Sequence, residues 1–594
     1  MEVAYQQIDA PRICEDGCHP RESMFTGQPP TISNYQSLEP VPIELEEAIY
    51  LTLQSSEVFA KLGGRVVTAP AGSGTVYDPA IQATNPQQSI EAALSAFDAQ
   101  FTSNLTVNHQ ERRFNNLFFG GGAPQLTSNL GNFQAELSKV SAAGTRFAVR
   151  NITDYNRNDA TANLFRSAWD TVTVIEARQP LLRGFGTQVN RIAGPEGAPG
   201  VYNGVLIARV RNDISLADFE AAVRDLVRDV EQAYWELYFA YRDLDAKKRA
   251  LEVARDTWQI RKTLVEGGDS PPDDEALARQ QYFNFQTQVN DALVGTPNGL
   301  PGVFGAERNL RRLIGRTTYD GQILRPSTDP VIAPINFDWD QAQFNAVERR
   351  VELRRQRWLV KQREMELCAA KQLNRWNLDL VGQYGWRGWG DNLFGSRSRT
   401  NGSAFDELLQ GDLDDWSLGI EFNGPIGNRT GHLAVRNASL QLARERAIMT
   451  EQQRQVLHEL NAAYTEVDRA FAAIRTNYNT FDAVIDELEP KRARAEAGDE
   501  ELFFLLSAQQ TAAQSESAYH RAVTDYNVAL MNFNYSAGEL LANYGIYLAE
   551  GPWEGTAEID AMENNDRLEP VAPGRKKRDY PVISQGAVEQ VLQR

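Results

Sequence analysis

Apolar and polar positions along this chain fall into two patterns that alternate twice. The first is a stripe at helical spacing. Phe219, Val223, Leu226, Val230, Ala233, Leu237, Ala240 and Leu244 follow one another in alternating steps of four and three. That is the seam of a helix packed along other helices. It predicts a long helix over about residues 215–264 and a return helix over about 274–314, broken near 295–302. A second stripe runs through Val456, Leu460, Ala463, Val467, Ala470, Ile474, Tyr478, Phe481, Ile485 and Leu488. Two consecutive four-residue steps within it are an insertion into the heptad, which locally relaxes left-handed supercoiling. The helix predicted over 429–494 spans on the order of 100 Å at ~1.5 Å per residue. Its return is expected over 500–541. Helices this long cannot bury a seam alone, so they are expected to pack in a bundle or wall.

The second pattern has period two and precedes each long helix. Phe101, Leu105 and Val107 alternate with Thr102, Asn104, Thr106 and Asn108. Residues 133–153 read as a hairpin around Ala142-Ala143-Gly144-Thr145, and 170–182 as a further strand. In the second half Leu378, Leu380, Tyr384 and Trp386 alternate with Asp379, Gln383 and Arg387. The cleanest alternation sets Trp416, Leu418, Ile420 and Phe422 against Ser417, Gly419, Glu421 and Asn423. Shorter helices are expected over 43–62, up to about Ala96, and as a pair over 339–374. Residues 63–86, 184–199 and 388–412 read as loops or turns. The fold class is α+β.

The two halves are one unit written twice. Residues 219–269, shifted by 230, lie on 449–499 without a gap. Ala233, Tyr234, Glu236, Ala240 and Asp256 meet Ala463, Tyr464, Glu466, Ala470 and Asp486. Both segments end at a Gly-containing turn, Glu266-Gly267-Gly268-Asp269 and Glu496-Ala497-Gly498-Asp499. A duplicated strand–long helix–turn–helix unit fixes the architecture before any motif does. It divides the chain into an extended leader (1–42), a first repeat (43–325), a linker (326–338), a second repeat (339–545) and a polar tail (546–594).

The bulk numbers narrow the function. The chain has 594 residues and a formal charge of −19. That excess argues against nucleic acid as a partner and favours cations in any pore the chain lines. No apolar run approaches the ~18 residues of a membrane-spanning helix, so membrane residence would have to come from strands. Residues 1–42 lack the basic and apolar regions of an export signal. Cys14 and Cys18 could pair in an oxidising compartment; Cys368 stands apart. The five histidines, His19, His109, His432, His458 and His520, have no ligand spacing. There is no phosphate-binding Lys motif and no nucleophile elbow, and the Gly run at 120–122 reads as a loop. The expectation is a non-enzyme without metal or cofactor. The basic run Arg575-Lys576-Lys577-Arg578 reads as solvated tail.

Three motifs in fixed order carry a resemblance. Gln179-Pro180-Leu181-Leu182-Arg183-Gly184-Phe185-Gly186 ends one strand, and Gly424-Pro425-Ile426-Gly427-Asn428-Arg429 occupies the equivalent place in the second repeat. Ala495-Glu496-Ala497-Gly498 is followed by Leu505-Leu506-Ser507-Ala508-Gln509. Leu45-Glu46-Glu47-Ala48-Ile49 opens the first half, and Arg350-Val351-Glu352-Leu353 echoes it in the second. Over about 43–545 the chain resembles the TolC-like outer-membrane efflux proteins. The resemblance implies a homotrimer with a 12-stranded barrel in outer-membrane lipid, continued by a helical coiled-coil tunnel through the periplasm. It implies an exit duct for a tripartite efflux pump or type I secretion system, linked by a periplasmic adaptor to an inner-membrane transporter. The hairpin at 133–153 departs from the four-strand plan, either adding strands or extending the barrel beyond the membrane. A second reading is a structural envelope-spanning protein without transport.

The resemblance also places candidate sites. Gly267, Gly268, Ala497 and Gly498 fall at the turns that meet an adaptor, although Gly also simply ends helices. Asp269, Asp273, Asp274 and Glu275 crowd the first turn, and Asp499, Glu500 and Glu501 the second; acids there also complement the helix dipole. Some relatives carry an acidic ring just inside the second turn. Here Phe504 and Ser507 stand at the matching positions, so Phe503 and Phe504 become candidates for an apolar constriction, or for ordinary packing between helices. Ser417, Glu421 and Asn423 are expected to face the lumen.

Overall fold

The computed structural model describes residues 29–59, 74–116, 124–161, 163–195, 197–268, 271–296, 299, 301–316, 321–395, 402–497 and 502–548. Cys14, Cys18, His19, the Gly run at 120–122 and the basic run at 575–578 lie outside them.

Along the first half the order is β1 (Glu39–Ile43), α1 (Leu45–Ser55), α2 (Asp78–Ala83), α3 (Ile90–Ser95), β2 (Gln100–Arg113), β3 (Gln125–Val140), β4 (Arg146–Asn158), β5 (Ser167–Pro180), α4 (Thr187–Ala193), α5 (Val205–Gly267), α6 (Pro272–Val294), α7 (Val303–Leu313) and β6 (Gln322–Pro326). The second half continues with α8 (Trp339–Arg349), α9 (Val351–Leu373), β7 (Asn377–Gly390), α10 (Ala404–Gln410), β8 (Asp414–Asn423), α11 (Arg429–Ala497) and α12 (Leu502–Ala537). All of these lie in one compact unit ending at Glu539. The unit that follows contains a single described turn of helix, α13 (Leu540–Asn543).

The duplication is visible in the helices. α5 and α11 run for 63 and 69 residues and end at Gly267 and Ala497, positions 230 apart. α5 starts ten residues before the 215 read from its stripe. The seam positions Leu226, Val230, Ala233, Leu237 and Leu244 are buried. In the second half Val456, Leu460, Val467, Ala470 and Ile474 form one core with Leu353, Val523, Tyr526, Leu530 and Phe533. The lower seam behaves differently. Tyr478 and Ile485 are exposed, so within one chain the α11 stripe is left open at these positions, while Leu488 packs on the core near the end of the helix.

Several local readings are corrected. The leader's last residues form β1, which pairs in parallel with β6. Its alternating prolines hid it, and a parallel partner almost 300 residues away leaves no local signal. All three stretches expected as loops or turns contain helices: α2, started by a proline in its first turn, α4, which follows Gly186, and α10, capped by Ser403 Oγ accepting from Asp406 N–H at 3.1 Å. The largest correction is to the strand number. The 133–153 hairpin is part of β3 and β4, and β2 pairs with β3 over 14 residues. One antiparallel sheet has the order β2-β3-β4-β5-β7-β8. The protomer therefore supplies six strands side by side, where the resemblance implied four.

Buried polar contacts fix α5 to its flanking strands and to the second repeat. Tyr234 Oη donates to Ile43 C=O at 3.0 Å and accepts from Ser327 and Thr328 N–H at 3.1 and 2.9 Å. One heptad on, Tyr241 Oη donates to Leu324 C=O at 3.0 Å. α5 thus pins β1, β6 and the start of the linker through two phenols. Arg224 on α5 pairs with Glu352 on α9 at 2.8 Å. Burial opposes the charge on Glu352, but Arg224 and Arg350 hold its carboxyl below the usual range.

Tyr234→Phe keeps the ring's packing and leaves Thr328 N–H without its acceptor, which costs about 1–3 kcal/mol. Thermal unfolding of the detergent-solubilised variant should show a lowered Tm, and a Tm equal to wild type would contradict this role for the hydroxyl.

Candidate functional site

Sheet register decides which side chains share a face, because residues paired across antiparallel strands point the same way. One row runs Phe101, Leu137, Val149, Ile175, Tyr384, Trp416, one residue from each strand. All six are apolar or aromatic, and all are 40–74% exposed. Leu418, Ile420 and Phe422 continue this face along β8 and are equally open. A row of large exposed apolar groups across an entire sheet is far more than the scattered surface hydrophobics of a soluble protein.

The opposite face is polar. Its rows include Gln100, Ser138, Ala148, Glu176, Gln383 and Ser417. Gln383 donates to Glu176 at 3.0 Å. Arg178 stands among Glu421, Asp379 at 3.3 Å and Glu176 at 3.7 Å. Arg150 and Arg146 hold Glu136 at 2.8 and 3.2 Å. The predicted residues Ser417, Glu421 and Asn423 all lie on this face. Arginine and carboxylate alternate there, so much of the local charge is paired.

The apolar face has a boundary at the end far from the long helices. α10 crosses it over β7, and Trp389 N–H donates to Glu407 at 2.6 Å. A Cβ on Gly388 would stand 2.0 Å from Ala404 C=O, so only glycine lets this helix lie on the strand.

At the other end are the two helical turns. Gly268 ends α5 in the left-handed region, φ 81°, with its N–H donated to Leu264 and Val265 C=O. α6 then starts with Pro272, Asp273, Asp274 and Glu275. The acids are not equivalent. Glu275 accepts from Trp258 Nε1 at 2.7 Å, and Asp274 lies 3.8 Å from Arg261, while Asp273 is exposed. Arg261 also donates to Ala495 C=O at 3.1 Å, which joins the first hairpin to the end of α11. Beside it Ala278, Ala495, Leu502, Leu505 and Leu506 form a small core. Phe503 and Phe504 point out of that core, 63% and 47% exposed, with ring centroids 5.8 Å apart. Packing within the chain is done by the neighbouring leucines. Asp269, Gly498, Asp499, Glu500 and Glu501 lie outside the described residues.

No protein-family model matches the chain, and no curated protein matches it significantly. Solved structures do. The outer-membrane channel OprN superposes with a TM-score of 0.55 at 13% identity, over 83% of this chain and 90% of its own. The Campylobacter jejuni CmeC outer membrane channel gives 0.52 at 14%, over 88% and 90%. The Vibrio cholerae outer membrane protein VceC gives 0.53 at 13%, over 83% and 96%. The chain has a TolC-like fold.

Within this TolC-like fold the predicted residues fall into two separate groups, the polar sheet face and the helical turns, at opposite ends of α5 and α11. Sequence reasoning missed Arg178, Arg261 and Trp258. Arg178 sits one residue before the recognised Gln179-Pro180 motif, but two of its three carboxylate partners, Asp379 and Glu421, come from strands 201 and 243 residues away. Among the described residues no cluster of His, Cys, Asp or Glu is arranged to hold a metal.

Proposed function

We propose that this protein is an outer-membrane exit channel, a passive conduit of a tripartite efflux pump or type I secretion system. The observation that carries this reading is the two-faced sheet. An exposed apolar row crosses all six strands, and an arginine–carboxylate lattice covers the other side. Lipid suits the first face and a water-filled lumen the second. The long helix pairs then continue from the sheet into the periplasm as a tunnel. Three copies share the structure, because the sheet has two open edges and α11 leaves Tyr478 and Ile485 of its seam open. The turns at Gly268 and Ala497 are where a periplasmic adaptor docks, and an inner-membrane transporter delivers the cargo. The excess of acidic residues makes the path prefer cations.

The turns are chemically unlike, and this suggests how the mouth closes. The acids of the first turn are partly engaged by Trp258 and Arg261, whereas Phe503 and Phe504 are free of the protomer's own core. In a ring of three copies these rings close the entrance by packing on one another, and adaptor docking draws them apart.

Planar-bilayer recordings test the conduit. Wild-type protein should form water-filled, cation-selective pores. Arg at a lipid-facing midplane position costs roughly 2–4 kcal/mol, so Leu418→Arg should reduce assembly in the membrane. Ser417→Arg should assemble normally and shift the reversal potential toward anions. Equal tolerance of both, or a correctly inserted protein that never conducts, would favour a scaffold over a channel.

Phe504→Ala should raise the resting conductance without changing the yield of assembled protein. An unchanged closed-state conductance in normally assembled particles would remove Phe504 from the gate.

A further inference from the structure

The six-stranded sheet carries information about the barrel it belongs to. This step rests on the channel reading above and concerns how the barrel is closed. β2 and β8 are its edges, and among the described residues neither has a second strand beside it. Nearly every residue of both strands is exposed. Six strands are too few to close alone, since bacterial barrels start at about eight. An open edge in lipid would leave a column of backbone groups unpaired, at several kcal/mol each.

Three features show what the edges fit. The first is direction. Six strands alternate, so β2 and β8 run oppositely. Around a rotation axis, β8 of one copy then meets β2 of the next antiparallel.

The second is the slant of the apolar band. On β2 it runs from Phe101 to Val107, centred at Asn104. On β8 it runs from Trp416 to Phe422, centred at Gly419. The hydrogen-bonded row through Asn104 passes Gln134, Ile152, Val172 and Arg387, and Arg387 N–H reaches Leu413 C=O. The row therefore arrives on β8 six residues from the centre of its band, after five steps between strands. At ~3.3 Å per residue and ~4.8 Å per step this is a tilt of about 40°. Strands of membrane barrels tilt by about 35–45°. All six strands, β2 and β3 included, thus hold their apolar bands at one depth in one slab.

The third is register. Carrying the slant across the gap, and keeping polar with polar, sets Ser417 of one copy against Asn108 of the next. Leu418 then meets Val107, Ile420 meets Leu105 and Gly419 meets Thr106.

We infer that β8 of each protomer pairs with β2 of the next, and that three copies close one 18-stranded barrel. The β2–β3 pair is a membrane-spanning addition and not an extramembrane extension. The wall radius rises from roughly 12 Å for twelve strands to roughly 18 Å for eighteen.

Disulfide trapping in the full chain tests this, after Cys14, Cys18 and Cys368 have been replaced by Ser. Ser417→Cys combined with Asn108→Cys should, on oxidation, convert most of the membrane-inserted protein to covalent dimers and trimers. Ser417→Cys with Ala148→Cys or Arg150→Cys on β4 should stay monomeric on the gel. Efficient trapping to β4 with none to β2 would mean a 12-stranded barrel and overturn the inference while leaving the channel reading intact. Trapping within a single chain would overturn it too. Pores that conduct normally but trap at neither strand would also refute this closure, whereas absence of any pore would fail the channel reading itself. Should the double variants not assemble, hydrogen exchange on the wild-type protein decides. Amides of β2 should be protected like those of β4, and fast exchange along β2 would contradict the closure.

Discussion

Backbone hydrogen bonding in a place without water is the constraint on which this architecture turns. A strand in lipid must pair on both sides, and the two-faced sheet has two strands that pair on one side only. Every larger feature answers that demand. The apolar face selects lipid as its surroundings, the open edges require further copies, and the even number of strands lets identical copies join head to tail. The slant of the apolar band agrees with the tilt that closure imposes, although the band is set by side chains and the tilt by backbone geometry.

The helices meet the same demand in another form. α5 is covered along most of its seam by helices of both repeats, while α11 keeps Tyr478 and Ile485 open. A helix of 69 residues cannot be stable as a lone projection, because most helical stability comes from packing an apolar face. Two tyrosines of α5 hold β1 and β6, and the repeats are joined by specific contacts that include the Arg224–Glu352 pair and Arg261 reaching the end of α11. These join elements that a simple duplication would leave as two independent hairpins.

Much of this was legible in the chain. The long helices, the break between α6 and α7, and the strands at β2, β5, β7 and β8 follow from periodicity, since each buries or exposes one regular face. The 230-residue offset placed both turns. What escaped had non-local causes. β1 is made by a parallel partner far along the chain, and its prolines argue against a strand. α10 is short and was hidden in a polar stretch. The number of strands in one sheet depends on which hairpins lie side by side, and alternation within a strand does not contain that. Phe503 and Phe504 could be singled out from the repeat mismatch, but their exposure depended on Leu502, Leu505 and Leu506 taking the core positions.

The central claim is that this sheet is completed only by other copies of the same chain. Native mass spectrometry of the full-length protein, released gently from detergent, addresses it most directly. The account predicts three chains per particle and no folded monomer at any dilution that preserves the barrel. A stable monomer that retains its full strand content would contradict it.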